Sequence, residues 1–196
     1  MRTFYFLCSS LILLVGYYSC SSGNAQIQAL SSSGNVDSLQ MIERGEYLVA
    51  TIGCDDCHSP KRMGPAGPEI IPELRLSGFQ DQTKLPPIDI SEVEKGWVLF
   101  APDLTGAVGP WGISHAANLT SDDTGIGLWR EENFIKAIRE GKYKGLDGSR
   151  AILPPMPWQV YRNLDDTDLQ AIFAYLKTVP AVRNVVPAPK LLSELP

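Results

Sequence analysis

The chain has 196 residues, of which 44% are hydrophobic and 20% charged, enough for one globular domain with tails and ordinary for a folded protein. Its 17 Lys and Arg stand against 22 Asp and Glu, a net charge of −5. That excludes nucleic acid as a partner, because a phosphate backbone must be met by a basic field.

Arg2 is followed by an apolar run from Phe4 to Tyr18, broken only by Ser9, Ser10 and Gly16. At roughly 15 residues it matches an export-signal core and falls short of the ~20 that cross a bilayer as a helix. Residues 1–19 are read as a signal peptide, and the protein as extracytoplasmic, in the periplasm. Ser19-Cys20, followed by Ser21-Ser22-Gly23-Asn24, resembles a bacterial lipoprotein signal, which implies lipidation of Cys20 and a membrane anchor. Tyr17 stands where that pattern has an aliphatic residue, so cleavage after Ala25 is the alternative. With Cys20 as anchor and Cys8 removed, the mature chain keeps Cys54 and Cys57 and has no disulfide scaffold. Residues 20–37, poor in apolar side chains, are expected to be a flexible tether.

The domain proper is expected over 38–182. Apolar spacing predicts a first helix from about Ser38 to Gly53, with Ile42, Gly45, Val49 and Ile52 on one face. A second begins near Trp129 or Arg130, buries Phe134, Ile135 and Ile138, and has Gly141 placed to cap its end. A third follows Asp165, an N-cap candidate with Asp168 three residues on, and carries Leu169, Ile172, Phe173 and Leu176 towards Pro180. Between them, Ser59 to Gly127 has no helical period and is punctuated by seven prolines, from Pro65 to Pro110. So long a stretch is expected to wrap the core, with a short strand near Val98-Leu99-Phe100. The tail over 183–196, with Pro187, Pro189 and Pro196, cannot be one regular helix.

Cys54-Asp55-Asp56-Cys57-His58 closes the first helix. C-x-x-C-H is the pattern of c-type haem attachment: two thiols three residues apart reach the vinyl groups on one side of the macrocycle, and the next imidazole meets the iron. A zinc site would need four ligands, and beyond these three the mature chain offers only a distant His115. A reactive dithiol would need a depressed thiol pKa, which Asp55 and Asp56 oppose. An acceptor for the His58 Nδ1–H is expected among the backbone carbonyls near Pro60. The sixth ligand is to be found among Met156, His115 and Met63. Met156 lies in Leu153-Pro154-Pro155-Met156-Pro157-Trp158, where flanking prolines restrict the backbone and would present one thioether rigidly. Arg150 is read as surface charge, and Trp129 and Trp158 as packing. Asp55 and Asp56 are expected to steer a basic partner.

Arg44-Gly45-Glu46-Tyr47-Leu48, Cys57-His58-Ser59-Pro60-Lys61, Asn118-Leu119-Thr120-Ser121-Asp122, Thr124-Gly125-Ile126-Gly127, Phe134 through Gly141, Pro155-Met156-Pro157-Trp158 and Ala171-Ile172-Phe173-Ala174-Tyr175-Leu176 together carry a resemblance. The chain resembles class I c-type cytochromes and is similar, from about Arg44 to Val182, to haem domains of dehydrogenase-associated cytochrome c subunits. This resemblance implies an all-α fold of three to five helices around one covalently bound haem c. It implies Cys54 and Cys57 as thioether attachments, His58 and Met156 as axial ligands, and Tyr175 packed against Gly45. The function expected is one-electron transfer between a redox donor protein and an acceptor protein, without catalysis and without a small-molecule substrate. The alternatives are a haem enzyme or gas sensor with an exchangeable sixth ligand, and an interaction protein docking through 59–117.

Overall fold

The computed structural model describes residues 22–195, with side chains from 37 on. The signal peptide and Cys20 lie outside the described residues. The chain divides into a unit over 1–40 and one over 41–196.

Helix α1 spans Ser22–Thr51, so it begins sixteen residues before the predicted start. The segment expected as a flexible tether is helical from Ser22 on. Its sequence contains no proline, so nothing in the backbone forces an end to the helix there.

In the unit over 41–196, the predicted face of α1 is the buried one. Val49 is fully buried, Leu48 nearly so, and Ile42 and Ile52 pack at the edge of the same core. Helix α6, Asp166–Leu176, supplies Leu169, Ile172, Phe173, Tyr175 and Leu176. The two helices cross at Gly45, where a Cβ would lie 2.0 Å from the Ala171 carbonyl oxygen and 2.7 Å from Tyr175 Cβ. Only a residue without a side chain allows that approach, and the aromatic beside it is Tyr175 as the resemblance implied. Helix α4, Glu131–Glu140, buries Phe134, Ala137 and Ile138 and stops on Gly141 at φ 64°, a left-handed cap that favours glycine. A single turn, α5, Trp158–Tyr161, precedes α6. Asp165 occupies the N-cap of α6 but makes no side-chain cap bond. Asp168, expected to join that cap, instead receives Arg44 Nε at 2.9 Å and Nη2 at 3.0 Å. A charged fork from another helix outcompetes a local backbone N–H.

The Pro-rich stretch corrects the all-α expectation. Strands β1, Lys61–Gly64, and β2, Gly67–Ile70, form a hairpin. After a short helix α3, Ile90–Glu94, strands β3 (Leu99–Phe100), β4 (Gly106–Gly109) and β5 (Gly112–His115) form an antiparallel sheet in that order. The predicted strand near Leu99 is β3. Val93, Val108 and Ile113 make a small second core, against which Leu99, Leu192 and Leu195 pack. The tail reaches that core by pairing Lys190 with Ile113. Gly112, at φ 94°, permits this, since a Cβ there would sit 2.0 Å from the Lys190 carbonyl oxygen. The architecture is thus a helical core with two small sheets beside it. No helix among the described residues is long and apolar enough to cross a membrane.

Candidate haem-attachment site

Gly53, at φ 86°, breaks α1 and starts the five-residue helix α2, Cys54–His58. One turn therefore carries both thiols and the imidazole. Cys54 and Cys57 are free and half-buried. Burial first, and the Asp55 charge second, push the Cys54 thiol up to about 12. Cys57 is raised by burial and by Asp56. Both shifts oppose thiolate formation, against the depressed pKa that a reactive redox dithiol requires.

His58 is 9% exposed, and its Nδ1 lies 2.7 Å from the Ala117 carbonyl oxygen. A carbonyl only accepts, so Nδ1 carries the proton and Nε2 keeps a free lone pair. Burial lowers the imidazole pKa, the Ala117 bond opposing it in part. The ring is consequently neutral, oriented and ready to ligate. The acceptor is not near Pro60 but at Ala117, 59 residues on, because the chain returns from β5 alongside α2.

Asp55 has a structural role. Its Oδ1 accepts from Ser59 Oγ at 2.6 Å and Arg75 Nε at 3.0 Å, and its Oδ2 accepts from Arg75 Nη2 at 2.8 Å. Arg75 Nη1 continues to the Tyr175 hydroxyl at 2.5 Å, tying α2 to α6. Ser59 Oγ also receives the Leu76 N–H at 2.9 Å. With its charge paired and its side chain 14% exposed, Asp55 cannot serve as the steering group the sequence suggested, and only Asp56 is exposed. Lys61 Nζ donates to the carbonyls of Asp55, Asp56 and Ser59, closing the C-terminal end of α2. Tyr161 donates its hydroxyl to the Ile52 carbonyl at 2.6 Å, just before the helix break.

Met156 is half-buried and packs against the same core as Cys54, Trp129 and Tyr161. The loop before it is held by Ser114 Oγ, which donates to the Pro154 carbonyl at 2.7 Å. Met63 stands 73% exposed on β1. His115 packs against Phe79 with the rings tilted by 46° and their centroids 4.5 Å apart, and its Nδ1 makes no hydrogen bond. Of the three candidate sixth ligands, Met156 packs against the core that includes Cys54, Met63 is exposed, and His115 lies against Phe79. Arg150 is exposed, lies 4.0 Å over the Tyr143 ring and donates to the adjacent Ala151 carbonyl. Trp129 packs on the core, and Trp158 fills the space beside Gly141. Asn118, part of a glycosylation sequon, is 4% exposed and donates to Thr124 Oγ1 and the Val182 carbonyl.

Two protonated thiols on one turn, an imidazole with its outer nitrogen committed, and a thioether on the shared core fit a haem. Sequence reasoning missed Arg75, Ser114 and the Ala117 carbonyl. Each acts through a partner 20 to 59 residues away, and no local pattern marks them.

No family model matches the chain. It is 37% identical over 144 residues, 72% of its length, to the cytochrome c subunit of a quinone-type alcohol dehydrogenase from Gluconobacter oxydans. It is 29% identical over 154 residues, 78% of its length, to the gluconate 2-dehydrogenase cytochrome c subunit of Pantoea cypripedii. Over 80 residues, 40% of its length, it is 41% identical to a nicotinate dehydrogenase subunit of Pseudomonas putida. The chain spans 24% and 26% of the first two relatives and 6% of the third.

Proposed function

We propose that this chain, a relative of the cytochrome c subunits of dehydrogenases, is a one-electron carrier holding one haem c through Cys54 and Cys57, with His58 and Met156 as axial ligands. The observation that carries this reading is α2 itself: both thiols and a neutral imidazole on one turn, with Nδ1 committed to Ala117. A haem held in this way supplies outer-sphere exchange of one electron between ferric and ferrous iron. Cys54 and Cys57 contribute thioether bonds that keep the group in place. His58 presents Nε2, and its bond to Ala117 fixes the ring plane and raises its basicity. Met156 presents a thioether from a loop with proline on both sides; as a ligand to the iron it would favour the reduced state and would leave no position for a substrate. By analogy with the relatives' names, the electron donor is the catalytic subunit of an extracytoplasmic dehydrogenase. Lipidation at Cys20 would hold the carrier at the membrane surface.

The test uses the exported full-length protein. Haem staining after denaturation should survive in the parent and be lost in the Cys54→Ala/Cys57→Ala double variant. Met156→Ala should abolish the weak far-red band of sulfur-ligated ferric haem, lower the potential and open the iron to carbon monoxide. Retention of haem by the double variant overturns the attachment. Fast carbon monoxide binding by the parent overturns the closed His/Met site in favour of a haem enzyme or sensor. The mass of the same mature protein reads a lipidated Cys20 or an N-terminus at Gln26.

A further inference from the structure

The segment Ser114–Ala117 touches both halves of the site. At one end the Ala117 carbonyl receives the His58 Nδ1–H at 2.7 Å. At the other, Ser114 Oγ donates at 2.7 Å to the Pro154 carbonyl, two residues before Met156. Ser114 is 8% exposed, and its oxygen is in turn aimed by Trp111 Nε1, which donates to it at 3.1 Å. Because a hydroxyl has one proton, receiving the indole N–H leaves that proton for Pro154. The segment is itself held. Ser114 pairs with Ala107 inside the sheet, and the Ala116 N–H donates to the Thr105 carbonyl at 2.8 Å. On the other side, the Phe79 N–H donates to the Ala116 carbonyl at 3.0 Å. Gly109 makes room for the arrangement, since a Cβ there would meet the Trp111 ring at 2.4 Å.

We infer that the end of strand β5 and the two residues after it brace both helix α2 and the methionine loop, with Ser114 the positioning residue for Met156. This rests on the haem reading above and gives the Pro-rich stretch a purpose, since its sheet supplies one rigid edge against which both ligands are set. Prolines limit the shape of the 154–157 loop but do not anchor it, because proline has no N–H to donate. The Ser114 bond and the Trp158 N–H to the Met156 carbonyl at 2.9 Å are its polar ties near the thioether. Losing the first leaves the Pro154 carbonyl without that donor and the loop free to swing.

Ser114→Ala in the haem-loaded protein is the direct test, with Ser114→Thr as the rescue, since threonine keeps the hydroxyl and suits a strand. One hydrogen bond of ordinary net strength corresponds to an increase of about two- to tenfold in the fraction of protein with the thioether off the iron. Ser114→Ala should therefore weaken the far-red sulfur band and speed carbon monoxide binding by about that factor. Covalent haem retention should be unchanged, and Ser114→Thr should restore both readouts. Trp111→Phe, which removes the N–H that aims the hydroxyl together with part of the ring, should give a smaller shift in the same direction and keeps the test decisive if Ser114→Ala does not fold. The brace is overturned if these variants match the parent while Met156→Ala loses the band, in which case the ligand assignment stands alone. A band that survives Met156→Ala overturns both.

Discussion

Asp55 occupies one of the two positions between the cysteines, and its carboxylate is held by a two-pronged Arg75 contact and by Ser59. The pair is 31% and 14% exposed, too buried to be screened like a surface ion pair and too wet to count as fully interior. Arg75→Gln leaves the carboxylate desolvated with one hydroxyl for company, at an expected cost of about 1–3 kcal/mol in urea unfolding. Adding Asp55→Asn should recover most of it, because the lone charge has gone. Charge supplies a second readout that packing alone would not move. An unpaired carboxylate near His58 favours the oxidised iron, so Arg75→Gln should lower the potential, while Asp55→Asn, leaving the guanidinium unpaired, should raise it. Shifts of the same sign in both single variants would remove the charge argument.

The crossing of α1 and α6 is decided by Gly45. Alanine is the better helix former by about 1 kcal/mol, so Gly45→Ala would stabilise an isolated α1. In this fold the added methyl meets backbone, the Ala171 carbonyl at 2.0 Å, and the helices must separate at Val49 and Leu176. Overpacking of this kind costs about 1–3 kcal/mol or more, so the expected outcome is a net loss, read as a lower urea midpoint with an unchanged slope. A rise in midpoint would mean the crossing is looser than described. Gly45, Val49, Leu169 and Ile172 could be read ahead because a buried helix face repeats every three to four residues over several turns. The sheet could not be read the same way. Strand β4, Gly106–Gly109, is four residues long and buried on both faces, so it shows no alternation, and β3 has two residues. The site divides along the same line. Cys54, Cys57 and His58 lie within five consecutive residues and announce themselves, whereas the Ala117 acceptor and the Ser114 tie depend on where a long chain segment returns. The capping bond not made by Asp168 is a case in which a local signal was outweighed, by Arg44, and the helix running back to Ser22 is one in which the run Ser31-Ser32-Ser33-Gly34-Asn35 did not end it.

The C-terminal tail joins the two cores, and this sets how the molecule as a whole should fail. Asn184, 6% exposed, donates to the Ser77 and Phe79 carbonyls at 2.8 Å each, and its N–H donates to Thr124 Oγ1 at 3.0 Å. Farther on, Lys190 pairs with Ile113, and Leu192 and Leu195 cover the small core of Val93, Val108 and Ile113. Ending the chain after Val182 removes all of these but leaves the packing of α1, α4 and α6 intact. Each lost hydrogen bond is worth about 1 kcal/mol net, and each partly buried leucine about 1 more. The sum is several kcal/mol, comparable with the ~5–15 kcal/mol that hold a domain together, but it is shared between the sheet and the loops at Ser77–Phe79 and Thr124, outside α1, α4 and α6. The expected result is therefore local. Amide hydrogen exchange should accelerate in β3, β4 and β5 while α4 and α6 stay protected. Because β5 carries Ser114 and leads to Ala117, the truncated haem-loaded protein should also show the weakened sulfur band expected of Ser114→Ala. Uniform acceleration through α6 would mean that the two cores open as one unit. Unchanged exchange in β5 would mean that the tail merely lies against a sheet that stands without it.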